Sequence, residues 1–217
     1  MFTERKMTMP ILLLTGFEPF GGENINPSWE VVKRFSGYTL GEWRVEARQL
    51  PVAWEEVEPA LTQAFDDLQP AAVIAVGQSG GRAQVALERV AINYCLGIDN
   101  KGLVRSGEAV VPTGPAAYFS TLPIDTLAQA QKSAGIPAYI SLSAGAYLCN
   151  FALYSLLHLI QERSLPTPAA FIHIPYLPEQ VLGSKADVPS MSLETVEAGF
   201  RVIIGEVVKM FSEKEGA

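Results

Sequence analysis

Pro137-Ala138-Tyr139-Ile140-Ser141-Leu142, then Ser143-Ala144-Gly145-Ala146-Tyr147-Leu148-Cys149-Asn150, decides how the chain is read. The first six residues are an apolar, strand-like run. Residues 151–163 that follow the second stretch carry a helical pattern. A strand feeding a helix through a short glycine-containing turn is the repeating unit of an α/β protein. The same stretch places Cys149 at or just before a helix N-terminus. Unpaired backbone N–H groups and the helix dipole favour negative charge there, so a thiol in that position tends toward a lowered pKa and higher nucleophilicity. The alternative is a small buried apolar residue, the commonest state of a free cysteine.

Working outward, the pattern repeats. Ile11-Leu12-Leu13-Leu14-Thr15, between Pro10 and Gly16, reads as a strand buried on both faces. It ends in the turn-rich Gly16-Phe17-Glu18-Pro19-Phe20-Gly21-Gly22. Ser28 is expected to cap a helix to about residue 35. Strands are predicted over 43–52, 71–76, 85–93 and 169–174, with another around Tyr139. Helices are predicted over 54–68, 115–121, 124–133 and 192–212, besides the one that starts near Cys149. Residues 94–114 show little periodicity and predict a mobile surface loop. Residues 1–9 read as a loose leader, with Met7 or Met9 as possible starts. The expected fold is a single α/β domain over 1–217, a three-layer α/β/α sandwich with a largely parallel, mixed central sheet. Ligands in such folds bind beyond the carboxyl ends of the strands. Those ends are Gly16-Phe17, Gly77-Gln78, the residues before Cys149 and the residues after His173, and they are expected to converge.

Composition narrows the partners. The 217 residues are 48% hydrophobic and 18% charged, with a net charge of −7 and scattered basic residues. No basic stripe is present to neutralise phosphates, which argues against a nucleic-acid partner. The longest apolar runs fall short of a signal-peptide core or an 18-residue membrane span. Two cysteines, Cys95 and Cys149, do not make a disulfide framework, and the simplest expectation is a reducing, cytoplasmic setting. Two cysteines and two histidines also lack metal-ligand spacing, so no metal is expected.

A thiol nucleophile needs a base. His158 lies nine residues after Cys149 on the same helix, about 13 Å along the axis, which is out of reach. His173 ends the apolar run Ala170-Phe171-Ile172 and precedes Ile174-Pro175-Tyr176-Leu177-Pro178, so a strand delivers it to the edge that carries Cys149. Its alternative is a packed histidine bonded to a backbone carbonyl. An imidazole base needs a group to orient it. The period of two places Glu88 on one face with Ala86, Val90 and Ile92, where a carboxylate is costly unless partnered. His173 would satisfy it; so would Arg89, Arg82 or solvent. Gly77-Gln78-Ser79-Gly80-Gly81 matches G-x-S-x-G, but a nucleophile elbow needs a helix directly after it, and a strand pattern follows. Ser79 is therefore the outsider, and a glycine-rich turn approaching a ligand is the preferred reading.

Six stretches together resemble one family, the pyrrolidone-carboxylate peptidases (pyroglutamyl peptidase type I), which are cysteine peptidases. They are Leu13 to Gly22, Asn26-Pro27-Ser28-Trp29, Gly77 to Arg82, Glu88-Arg89-Val90-Ala91-Ile92-Asn93, Ala144-Gly145 through Cys149-Asn150, and Phe171 to Gln180. The resemblance implies Cys149 as nucleophile, His173 as base and Glu88 as the acid of a triad. It implies hydrolysis, without cofactor, of the amide bond after an N-terminal pyroglutamyl residue through an acyl-enzyme. It places Phe17, Phe20, Gln78, Tyr147 and Leu148 around the substrate, Tyr147 standing where the family usually has Phe. It also implies a homotetramer whose partners are N-terminally pyroglutamylated peptides, with neither nucleic acid nor membrane.

Two departures bear on activity. The family usually carries an aspartate pair and an arginine, thought to help form the oxyanion hole, just beyond the strand of the acid. Here the stretch is Asn93-Tyr94-Cys95-Leu96-Gly97-Ile98-Asp99-Asn100, with no arginine. Arg105, Arg82 or Arg89 are the candidates to replace it. Ser79 stands where alanine is typical, and Cys95 is expected to be inert. The competing functions are a cysteine amidohydrolase of altered specificity and a weakly active member that binds pyroglutamyl peptides. If Cys149 and His173 work as a thiolate–imidazolium pair, kcat/KM is bell-shaped in pH.

Overall fold

The continuous apolar runs and the alternating ones take different places in one sheet. The computed structural model describes residues 9–183 and 187–215. The leader expected over 1–9, and Met7 as a start, lie outside these residues except for Met9. In chain order the elements are β1 (Ile11–Phe17), α1 (Pro27–Val32) with a 3-10 turn (Lys33–Phe35), β2 (Thr39–Leu40), β3 (Trp43–Leu50), α2 (Val57–Leu68), β4 (Ala72–Gln78) and β5 (Val85–Glu88). There follow β6 (Val90–Ile92), β7 (Cys95–Ile98), β8 (Val104–Glu108), β9 (Ala117–Phe119), α3 (Ile124–Ser133), β10 (Ala138–Ser141) and α4 (Leu148–Glu162). The last are β11 (Ala169–Ile174), α5 (Pro178–Val181) and α6 (Leu193–Glu215).

The main sheet has the order β10-β5-β11-β4-β1-β3-β2. Its pairings are parallel except β11 with β5 and β3 with β2. β1, β4 and β11 occupy the middle and read as unbroken apolar runs because both faces are covered. β3 lies next to the edge and alternates; Arg44, Glu46 and Arg48 pair along its outer face. One core packs α1, α3 and α6 against the sheet through Val31, Val32, Leu127, Phe200 and Ile204. The other packs α2 and α4 through Leu61, Phe65, Leu153 and Leu157. The architecture is thus the expected three-layer α/β/α sandwich. Among the described residues no helix is long and apolar enough to cross a membrane.

Four local expectations are corrected. The cap of α1 is Asn26, whose Oδ1 accepts the Ser28 N–H at 3.1 Å, while the Ser28 hydroxyl accepts from the Phe17 N–H at 2.9 Å. Proline at the first helical position moved the start upstream of the serine. The strand expected over 85–93 breaks at Arg89, whose N–H bonds Ser141 O and whose carbonyl accepts from the Ser120 N–H. β6 then leaves the main sheet and pairs with β9. The helix expected over 115–121 is β9, because Tyr118 packs on Tyr154 at 4.9 Å while the backbone pairs with β6. Residues 94–114 are not a structureless loop: β7 and β8 form a hairpin. Its turn is set by Asp99, whose Oδ1 accepts from the N–H groups of Lys101 and Leu103, and by Gly102 at φ 81°.

Candidate active site

The carboxyl ends of the parallel strands converge as expected. Phe17, Gln78 and His173 line one cavity of about 210 Å³, together with Phe20, Asn26, Val52, Ser79, Arg82, Ala144, Gly145, Tyr147, Leu148 and Cys149. Phe17, Gln78 and His173 are each brought there by a strand. His173 pairs with Gly77 across β11 and β4, and with Ala86 across β11 and β5. Phe171 pairs with Glu88. The antiparallel register therefore sets the carboxylate one step from the imidazole, on the same face.

His173 Nδ1 lies 2.7 Å from Glu88 Oε1. The carboxylate is fully buried and the imidazole nearly so. Only an Nδ1–H can be given to an ionised carboxylate, which leaves Nε2 as the acceptor. Arg82 Nη1 approaches the same Oε1 at 3.2 Å. Among the described residues Glu88 Oε2 is buried with no hydrogen-bond partner. His173 and Arg82 share one oxygen of Glu88, on a strand that lies inside the sheet and not at its edge. The Phe171 ring packs on His173 at 4.8 Å and fixes its tilt.

Cys149 is the second residue of α4, which begins without a side-chain cap. The N–H groups of the first turn are thus free of a competing side chain. Asn150, which the sequence reading passed over, pins this end: its Oδ1 accepts from the Ile92 N–H and its Nδ2 donates to Ile92 O and Tyr94 O, each at 2.9 Å. A polar residue beside Cys149, directly ahead of the apolar Phe151-Ala152-Leu153, was the available signal. Gly77 provides room for the sulfur. A Cβ there would lie 2.7 Å from Cys149 Sγ and 2.7 Å from the Phe171 ring.

The expected depression of the thiol is not what this site gives. Burial pushes the Cys149 thiol up to about 12, the Glu88 charge adds to the rise, and only Arg82 acts to lower it. Desolvation outweighs the helix end because the cavity walls are apolar. That balance favours the thiol of Cys149 over the thiolate.

Phe20 and Tyr147 face each other at 6.2 Å, and Trp54 stands edge-on to Tyr147 at 5.3 Å. The Tyr147 hydroxyl donates to Ile98 O at 2.8 Å. Burial, then Asp99 and Cys149, push this phenol up to about 12, so it stays a donor. Gly97, at φ 130°, lets the hairpin lie against the Tyr147 ring, where a Cβ would come within 2.8 Å. Gln78 Oε1 accepts from Gln180 Nε2 at 2.9 Å, and Gln180 Oε1 accepts from the Leu177 N–H. Gln180, also missed in the sequence, thereby turns the Gln78 amide.

The remaining candidates separate. Ser79 lines the cavity but no helix follows it. Its N–H bonds Ile174 O. His158 lies elsewhere, with Nδ1 2.8 Å from the Tyr118 hydroxyl. Arg89 is taken by Asp125 at 2.7 and 2.8 Å. Arg105 is on β8 and does not line the cavity. Cys95 is buried, its sulfur donating to Glu108 O at 3.3 Å, and burial raises its thiol. Both cysteines are free. Among the described residues no three histidine, cysteine or acidic side chains group as a metal site.

Comparison with known proteins extends this geometry. A family profile described as "Pyroglutamyl peptidase" matches residues 10–210. The pyrrolidone-carboxylate peptidase of Enterobacter sp. (strain 638) is 47% identical over 204 residues, 93% of this chain and 94% of that one. That of Yersinia pestis (strain Pestoides F) is 48% identical over 195 residues, 89% and 90% of the two chains. Among solved structures, pyroglutamyl peptidase I of Bacillus amyloliquefaciens superposes with a TM-score of 0.86 at 42% identity, over 89% of this chain and 94% of that one. A mutant pyrrolidone carboxyl peptidase of Pyrococcus furiosus gives 0.89 at 40% identity, over 92% and 99%.

Proposed function

The chain belongs to the pyroglutamyl peptidase family, and on that premise we propose that it is a cysteine peptidase that removes an N-terminal pyroglutamyl residue from peptides. The observation that carries the residue assignment is the His173–Glu88 bond of 2.7 Å at the wall of the cavity that Cys149 enters.

Cys149 Sγ attacks the pyroglutamyl carbonyl carbon while its proton passes to His173 Nε2. Because burial favours the protonated sulfur, transfer accompanies attack rather than preceding it. Glu88 holds Nδ1–H and balances the imidazolium that forms. The oxyanion develops at the uncapped start of α4, where the Cys149 N–H is a donor. The C–N bond then breaks, and the imidazolium gives its proton to the leaving amine. Water attacks the thioester with His173 again as base, releasing pyroglutamate and restoring the thiol. Phe17, Phe20 and Tyr147 suit a flat neutral lactam, and Gln78 and Leu148 complete the wall. The substrates are thus pyroglutamylated peptides.

A homotetramer in the cytoplasm is part of the same proposal. It is supported by the family and by the exposed Leu96, Ile98 and Val104 on the hairpin.

The test is amine release from an L-pyroglutamyl amide by wild type and Cys149→Ala. Activity in the first and none in the second is expected. An inactive, folded wild type would favour altered specificity or peptide binding alone. Activity surviving in Cys149→Ala would remove the thiol from the mechanism.

A further inference from the structure

The stretch from Asn93 to Asn100 carries no arginine, yet the cavity is not without a cation. Among the described residues that line it, Arg82 is the only one with a permanent positive charge. It comes from the turn between β4 and β5. Its guanidinium lies 5.8 Å over the Tyr139 ring and 3.2 Å from Glu88 Oε1, the oxygen that also holds His173. We propose that Arg82 is a positioning residue of this reaction: by sharing Glu88 Oε1 with His173 it fixes the carboxylate that orients the imidazole, and it supplies the positive charge of the cavity. The inference deepens the peptidase reading and rests on it for its link to turnover.

The groups around Glu88 show why the charge matters. β11 presents His173, and α4 presents Cys149 with Tyr147 at its start. β10 presents Tyr139, beneath Arg82, and Ser141, the register partner of Glu88. Ser120 donates its hydroxyl to the Glu88 carbonyl. None of these is a permanent cation. A fully buried carboxylate is costly unless partnered, and Arg82 is the permanent cation that partners it; among the described residues its Oε2 has no hydrogen-bond partner. A neutral Glu88 carboxyl would offer a proton to Nδ1 instead of accepting one, and the acceptor nitrogen would turn away from the sulfur. Arg82 is also the one charge that works against the raised Cys149 thiol. Held over an aromatic ring and bonded to a carboxylate, it suits arginine better than lysine in geometry, but not in charge.

The experiment compares wild type, Arg82→Met and Arg82→Lys by two readouts. One is the pH–rate profile of Cys149 alkylation by iodoacetamide, which needs no turnover. The other is the pH profile of kcat/KM on an L-pyroglutamyl amide. Wild-type alkylation should climb through the neutral and alkaline range without a plateau, because a thiol pushed up to about 12 is mostly protonated there. Arg82→Met should alkylate about tenfold more slowly at neutral pH, because the charge that favours the thiolate is gone. Its kcat should fall about tenfold with KM little changed, and its kcat/KM profile should move in the same direction as its alkylation profile. Arg82→Lys should restore most of both. A folded Arg82→Met with the wild-type alkylation profile overturns the inference, whether or not the enzyme turns over peptide. Should Arg82→Met not fold, Arg82→Lys decides: alkylation at neutral pH slowed about tenfold despite the retained charge overturns it. A wild type inactive on the amide but showing the alkylation shift would sink the peptidase reading and leave the charge coupling standing.

Discussion

The molecule contains two histidines, and their first hydrogen bonds look alike. His173 Nδ1 is 2.7 Å from Glu88, and His158 Nδ1 is 2.8 Å from Tyr118. Each ring also lies against an aromatic neighbour, Phe171 for His173 and Tyr154 for His158. Each stands beside a cavity, and the one at His158 is the larger, about 420 Å³. What differs is the charge of the partner and what lines the cavity. A buried carboxylate fixes one tautomer and stabilises an imidazolium; a phenol does neither. The cavity at His173 contains a thiol, whereas that at His158 is bordered by Glu55, Glu58 and Glu162. Neither a short bond nor a large hollow locates chemistry. The combination of thiol, acceptor nitrogen and buried charge is what the proposed chemistry needs.

The sharpest way to break this contrast is Glu88→Gln, which keeps the shape and removes the charge. Single-turnover acylation should slow on the order of 10³-fold, since an amide can stabilise neither the tautomer nor the imidazolium. A loss below tenfold would make the two histidines equivalent in kind. Next comes Gly77→Ala. Its methyl would sit 2.7 Å from Cys149 Sγ, and displacing the sulfur by about 1 Å should cost about 10²-fold in kcat. Wild-type kcat in that variant would mean that the sulfur has room to spare. The smallest effect is expected at the other histidine. His158→Gln should leave kcat/KM within about twofold and lower stability by about 0.5–1.5 kcal/mol, the worth of its bond to Tyr118. Chemical denaturation and the amide assay measured side by side would show it, and a tenfold fall in activity would give His158 a role that its surroundings do not explain.

Much of this was legible in the sequence. Unbroken runs such as Leu12-Leu13-Leu14 mark strands covered on both faces, and the strand at 169–174 has the bounds read from its pattern. The convergence of Phe17, Gln78, Cys149 and His173 followed from strand ends alone. The period of two kept Ala86 and Glu88 on one face, but the inference that Val90 and Ile92 continue it failed at Arg89, where the chain changes sheets. Residues 94–114 were misread because alternation is weak over two short strands. Asp99-Asn100-Lys101-Gly102 was the overlooked turn signal. The hairpin is anchored by its contacts: Asp99 accepts from the Trp54 N–H, Asn100 donates to Pro19 O, and Tyr147 to Ile98 O.

By itself the sequence determined the layers, the strand ends and the residue types gathered there, because hydrophobic period and turn chemistry are local properties. The tertiary structure alone decided that β11 and β5 run antiparallel, so that Glu88 comes within 2.7 Å of His173 across 85 positions of chain. It alone decided that Arg82 rather than Arg89 or Arg105 reaches the cavity, and that burial favours the thiol of Cys149. Distance, burial and charge balance are sums over neighbours that the chain brings together only on folding, and no local pattern records them.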